Sequence, residues 1–284
     1  MKKLLQYILI TVFLVTTTSC TKKEAEIFTP ENSSIYETTY LEKPKNQRPR
    51  SQEPIDNIFI ALNTLKQADY YESETYGEID AKKKIKLTTQ TLNNSRIITP
   101  NATFSELTSI STFVKAAEQF YITNDKAIKR EAKKVTSNST QWSNQVSTLT
   151  HEQFIQTYGY LPSDPIRYII NKDTIIDDIE IIANGIGRKY TYKFNLDPKI
   201  ATKNYSINVK TIANSTELPQ FNSIEVTMTF DYKWRMTKII TKEEYTITMK
   251  GLGKVTCLAT LTETFKNINR QINIQEKDFF NTYL

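Results

Sequence analysis

One histidine and two cysteines are all that this 284-residue chain offers to metal or thiol chemistry. Zinc centres take clustered His and Cys ligands, and the lone His151 with Cys20 and Cys257 cannot supply them. A Ser-His-Asp triad would have to use His151 as its base, yet His151 stands in the first turn of a predicted helix and reads as a surface residue. Glycine is scarce, at 6 residues. No Gly-x-Ser-x-Gly elbow occurs, and Gly185-Ile186-Gly187 lacks the third glycine and the helix of a dinucleotide site. Hydrophobic runs are short: Leu4 to Val15 falls below the roughly 20 residues that span a bilayer. The formal net charge of +6 is small and dispersed, which argues against a nucleic-acid partner. These absences exclude the common catalytic signatures. We expect no enzyme, no catalytic residue, no metal and no cofactor.

What is present begins at the N-terminus. Met1-Lys2-Lys3 is positive, Leu4 to Val15 is apolar, and Thr16-Thr17-Thr18-Ser19 is small and polar before Cys20. This order is read by the bacterial export machinery. The cysteine at its end predicts a lipoprotein signal over residues 1–19, with Cys20 diacylated as the first mature residue. The expected location is the extracytoplasmic face of the cell membrane, held by lipid. Removing Lys2 and Lys3 with the signal leaves a charge of +4, which fits a protein beside an anionic surface. With Cys20 lipidated, Cys257 has no partner within the chain. It alternates with Val255 and Leu261 and reads as a small buried hydrophobe.

Residues 20–53 read as a flexible tether. Pro30, Pro44 and Pro49 punctuate a polar segment with few aliphatics, which cannot offset its ordering entropy. At about 5–6 Å × √n, such a segment reaches roughly 30 Å. A single domain is expected over 54–284. Ile55, Ile58, Phe59, Leu62 and Leu65 recur at helical spacing, with Asn57, Asn63 and Lys66 elsewhere, so a helix is predicted over 55–68.

The period then switches to two. Strands are predicted over 70–81, 84–98, 112–123 and 127–135. Thr150-His151-Glu152-Gln153 is a capping box, with Leu149 and Phe154 at the staple positions and Gly159 able to close the helix. Asp164 followed by Pro165 predicts a second short helix to about Ile170. Further strands are predicted at 174–183, 188–196, 204–212, 223–231, 234–249 and 254–266. Gly251-Leu252-Gly253 is read as a hairpin turn, and 275–284 as a short closing helix with Phe279, Phe280 and Tyr283.

This pattern describes an α+β, strand-rich fold: a large antiparallel sheet, apolar on one face, with a few helices to cover that face. Nine or so strands must curl or split, so the expected product is a curved half-barrel wrapped around helices. One helix, meandering strands, short helices bracketed by Pro and Gly, and long strands, all behind a lipidated cysteine, resemble the LolA-like half-barrel superfamily. That group includes periplasmic lipoprotein carriers and cell-surface lipoproteins that bind acylated lipids. Glu244-Tyr245 before the Gly-Leu-Gly hairpin is also similar to uncharacterised lipoproteins of low-GC Gram-positive bacteria. The resemblance spans roughly 54–270. It carries no diagnostic motif, so no functional residue is transferred.

The expected function is a binding module. An apolar concave face left partly uncovered suits acyl chains, and Ile224, Val226, Met228 and Phe230 are the candidate ligand-binding residues, although core packing explains them equally. The alternative is a non-catalytic structural lipoprotein that docks an envelope protein. Expected partners are therefore the membrane through the anchor, a lipid or acylated ligand, and an envelope protein. Asp177-Asp178 with Glu180 is the densest acidic cluster and reads as a solvated strand face, as does Glu243-Glu244. Lys82-Lys83-Lys84, Lys129-Arg130 and Lys133-Lys134 suit anionic lipid or wall polymer, or serve as lysines that block edge pairing. Trp142 and Trp234 read as core or rim aromatics.

Overall fold

A computed structural model describes residues 42–45, 47–112, 114–249 and 251–280. The predicted export signal over 1–19, Cys20, most of the predicted tether and Tyr283 lie outside these described residues. Among the described residues, a 3-10 turn at Pro49–Ser51, whose Pro49 is buried, precedes the predicted helix. Pro54 then opens α1 (Pro54–Lys66) at the position where its missing N–H costs nothing.

Six strands follow as a meander: β1 (Tyr71–Lys82), β2 (Lys86–Ile98), β3 (Ala102–Ile110), β4 (Lys115–Thr123), β5 (Ala127–Val135) and β6 (Thr140–Leu149). After α2 (His151–Tyr158), a long loop leads to β7 (Ile175–Asn184) and β8 (Lys189–Leu196). Two short helices, α3 (Pro198–Ala201) and α4 (Tyr205–Ile212), precede β9 (Gln220–Asp231), β10 (Met236–Met249) and β11 (Gly253–Lys266); α5 (Glu276–Phe279) closes the described chain.

All eleven described strands belong to one open antiparallel sheet in the order β6-β5-β4-β3-β2-β1-β11-β10-β9-β8-β7. Two meanders are thus joined by a single seam, where the first strand pairs with the last: Glu72 faces Lys266 and Lys82 faces Thr256. The α+β half-barrel expected from the strand pattern is what the chain forms, with two more strands than the nine or so counted from it.

Period-two alternation explains which face is buried. On β9, Ile224, Val226, Met228 and Phe230 are at most 1% exposed, while their neighbours point outward. The inward residues of β8 to β11 enclose α1, in which Ile58, Phe59, Ala61, Leu62 and Leu65 are fully buried. The helix is more enveloped than its amphipathic pattern predicts. Asn57 and Asn63 are buried as well, and Asn57 Nδ2 donates to Tyr192 Oη (2.8 Å) and to the Gln52 carbonyl (3.2 Å). A smaller cluster seats Phe154 and Tyr158 of α2 on Phe120, Ile122 and Ala127. Phe279 and Phe280 cover Phe104, Tyr121 and Ile128; Phe279 stacks on Phe104 with ring centroids 3.7 Å apart.

Two predicted elements differ. Residues 165–170 are not helical. Ile166, Tyr168 and Ile170 are buried at a spacing of two, and Arg96 takes the carbonyls of Pro162, Asp164 and Pro165 that would begin a helix. Residues 204–212 form α4 rather than a strand. Tyr205, Ile207 and Val209 alternate like a strand, but Tyr205 and Val209 also lie one helical turn apart. The preceding Asp197-Pro198 starts a helical segment, with Asp197 Oδ1 accepting from the Lys199 N–H at 2.8 Å.

Candidate functional site

An open cleft lies between the concave sheet face and the helical layer. Its floor comes from β1–β4, β10 and β11, and its roof from α2, the 160–167 loop and α4. The space open to water-sized molecules is about 120 Å³, several times what one water needs.

The roof is held by specific local chemistry. Thr150 Oγ1 accepts from the Gln153 N–H (3.2 Å), and Gln153 Oε1 accepts from the Thr150 N–H (2.9 Å), so the capping box closes as read. His151 Nε2 donates to the Thr123 carbonyl at 2.8 Å, which fixes α2 to the end of β4. Gly159 ends the helix at φ 85°, and a Cβ there would lie 2.0 Å from the Asn204 carbonyl oxygen. Thr211 Oγ1 donates to the Thr157 carbonyl at 2.6 Å, tying α4 to α2.

The floor is graded along the strands. Strand register places Glu263, Thr75 and Asn94 in one cross-strand row. The next inward row is Leu261, Gly77 and Leu92. Gly77 has no turn to make; it leaves the row without a central side chain, and a Cβ there would come within 2.9 Å of Leu261. Phe120 stands instead in the Arg96–Ser105 row, where Phe154 and Tyr158 pack on it, and Val209 and Ile212 of α4 add apolar groups from the roof.

Two buried ion pairs stand at the polar part. Arg96 pairs with Glu263 and also donates to Ser73 Oγ (2.9 Å) and the Asp164 carbonyl (2.7 Å). Arg167 lies 3.9 Å from Glu243, donates to Thr241 Oγ1 at 3.1 Å, and sits over the rings of Tyr168 and Tyr205 at 5.3 and 5.1 Å. Glu243 accepts from both tyrosine hydroxyls, Tyr205 at 3.3 Å. Burial pushes the Glu243 carboxyl up, against the pull of Arg167. Burial also raises Asp164, at the rim, to about 6. Every cation in the cleft thus has an acid or ring beside it. The arrangement orders a polar end and leaves an apolar trough.

The sequence-derived candidates fall elsewhere. Ile224, Val226, Met228 and Phe230 are packed in the main core, and the cleft wall is built from other residues. Val226 and Met228 line a void of about 20 Å³ beside Arg167 and Tyr168. Cys257 is 4% exposed, and burial lifts its thiol to about 11. Asp177 sits at φ 69° beside a register shift, so simple alternation does not govern Asp177-Asp178; Glu180 pairs with Lys193 at 2.8 Å. Glu243, read as an ordinary solvated acid, is instead wholly buried, because β10 parity sets it between Thr241 and Tyr245. The same parity argument on β2 would have turned Arg96 inward between Asn94 and Ile98. Among the described residues, no group of three or more His, Cys, Asp or Glu side chains is placed to hold a metal.

No protein-family model matches this chain. No curated protein matches it either. Among solved structures, a DUF1329 family protein from Desulfovibrio piger is 11% identical at a TM-score of 0.27, covering 80% of this chain and 98% of its own. A LolA superfamily protein from Nitrosomonas europaea is 11% identical at a TM-score of 0.26, covering 79% of this chain and 97% of its own. The cleft itself, not these likenesses, carries the reading that follows.

Proposed function

We propose that this protein is a membrane-anchored extracytoplasmic lipoprotein that binds, without catalysis, an amphiphile whose apolar chain lies in the cleft. One observation carries the reading: adjacent rows of the floor change from Glu263-Thr75-Asn94 to Leu261-Gly77-Leu92, under a roof that leaves the space open. An acyl chain laid along that gradient needs little directed polar recognition, because each buried CH₂ contributes about 0.8 kcal/mol. The residues proposed to touch it are Leu92, Leu261, Ile79 and Val209, with the head beside Arg96 and Asp164.

The full chain with Cys20→Ser tests this without its own anchor. Expected are a co-purifying lipid by native mass spectrometry and saturable uptake of a fluorescent fatty acid. Leu92→Trp, which fills the trough, should weaken uptake at least tenfold. Lipid-free protein that takes up no probe refutes the reading, as does unchanged uptake by the Trp variant.

A second reading, docking of an envelope protein, draws on edge strand β7, where Ile181 and Ile182 are 48% and 53% exposed. A stoichiometric protein partner recovered from envelope extract, and lost on Ile182→Lys, would favour it.

A further inference from the structure

We propose that the end of the sheet carrying the β1–β2 and β10–β11 hairpins docks on an anionic phospholipid bilayer. This contact is independent of both the lipid anchor and the cleft.

The seam between β1 and β11 places the two hairpins side by side, and Lys83 Nζ donates to the Leu252 carbonyl at 3.2 Å to clip them together. The Lys83 N–H bonds the Ile85 carbonyl at 3.0 Å, so the first turn is tight. Ile85 stands at its tip, 74% exposed, between the Lys82-Lys83-Lys84 run and Lys86. Exposed Lys254 flanks it from the neighbouring hairpin, beside half-buried Leu252. Five lysines thus face two acids. Asp80 pairs with Lys86 at 2.7 Å, and Glu217 accepts from Thr248, the residue opposite Lys254.

Lysines that guard a sheet edge would sit on β6 or β7. These sit on β1, β2, β11 and the turn between β1 and β2, in the middle of the sheet, where no edge needs protection. Packing does not explain either hairpin end: Ile85 is exposed, and in the neighbouring turn a Cβ on Gly251 or Gly253 would meet nothing within 4 Å. An exposed aliphatic tip ringed by cations is complementary to a bilayer surface: the lysines meet anionic headgroups while the isoleucine enters the acyl boundary. A soluble polyanion would be met by the lysines alone and gives Ile85 no role.

The test uses the full chain with Cys20→Ser and Ile85→Cys, the new thiol carrying an environment-sensitive fluorophore; buried Cys257 stays unlabelled. Vesicles of equimolar phosphatidylglycerol and phosphatidylcholine should raise and blue-shift the emission. Pure phosphatidylcholine should not, and high salt should abolish the response. Each lysine near such a surface multiplies binding roughly fivefold. Adding Lys82→Gln, Lys83→Gln and Lys84→Gln should therefore move the midpoint about 100-fold to higher lipid. No emission change, an equal change with neutral vesicles, or the same change with a soluble anionic wall polymer or DNA would overturn the proposal.

Discussion

Replacing Arg96 by Met tests whether one buried side chain fastens the roof of the cleft to its floor. The guanidinium makes five contacts: Ser73 Oγ, the carbonyls of Pro162, Asp164 and Pro165, and the Glu263 carboxylate. Methionine fills much of the same volume but donates nothing. Three loop carbonyls and an acid with a side chain only 14% exposed are left without their donor. Breaking one side of a buried ion pair costs about 3–5 kcal/mol. The lost hydrogen bonds do not add in full, because water can enter through the open cleft. For a domain of this size, about 3–5 kcal/mol lowers Tm by roughly 10 °C. Urea unfolding followed by circular dichroism measures the loss directly. Arg96→Met with Glu263→Leu removes the orphaned carboxylate and should recover about 2 kcal/mol, while the three carbonyls stay unbonded. A single-variant loss below about 1 kcal/mol, or a double variant as unstable as the sum of its parts, would refute the account.

Asp164 sets a pH dependence of defined sign. Burial raises its folded-state value to about 6 from 3.8, so between these values the folded chain holds a proton that the unfolded chain has lost. Stability from this group is therefore full below about pH 4 and falls as pH rises through 6, by about 3 kcal/mol in all. Asp164→Asn should flatten that slope in denaturation curves taken from pH 4 to 7; an unchanged slope would disprove it. Gly159→Ala drives a Cβ into the Asn204 carbonyl at a positive φ and should cost at least about 2 kcal/mol. Gly251→Ala, with a positive φ but open space around it, should cost only about 1 kcal/mol. Equal losses in the two variants would show that the α2–α4 junction is not the constraint.

The fold was legible wherever a local rule had one solution. The Thr150–Gln153 capping box and the Gly-Leu-Gly hairpin close as read, and β9 alternates as its side chains dictate. Where two periods fitted, tertiary contacts decided. Tyr205, Ile207 and Val209 suit either a strand or a helix, and the Asp197-Pro198 start tips the choice. Residues 165–170 carry helix-start chemistry, yet a guanidinium from a distant strand takes the Asp164 and Pro165 carbonyls at that start, and nothing nearby in sequence announces it. Strands β3 and β6 were not read at all: the first half of β3 is buried on both faces and does not alternate, and β6, an exposed edge, buries almost nothing. The cleft was hardest to see. Its polar members, Arg96 and Glu243, follow from strand parity, but hydrophobicity directed attention to Ile224 through Phe230, which the core uses for packing.

The pairing of the first strand with the last has a consequence for folding. Along the chain the six-strand N-terminal meander comes first, but the open flank of β1 finds its neighbour only in residues 253–266. Up to about 190 residues separate the paired positions, and until they meet the bare strand is a template for mispairing between unfolded chains. The last 30 or so residues therefore act as the molecule's zip, and a chain cut short before Gly253 would keep most of its strands while losing the one junction that makes them a single body.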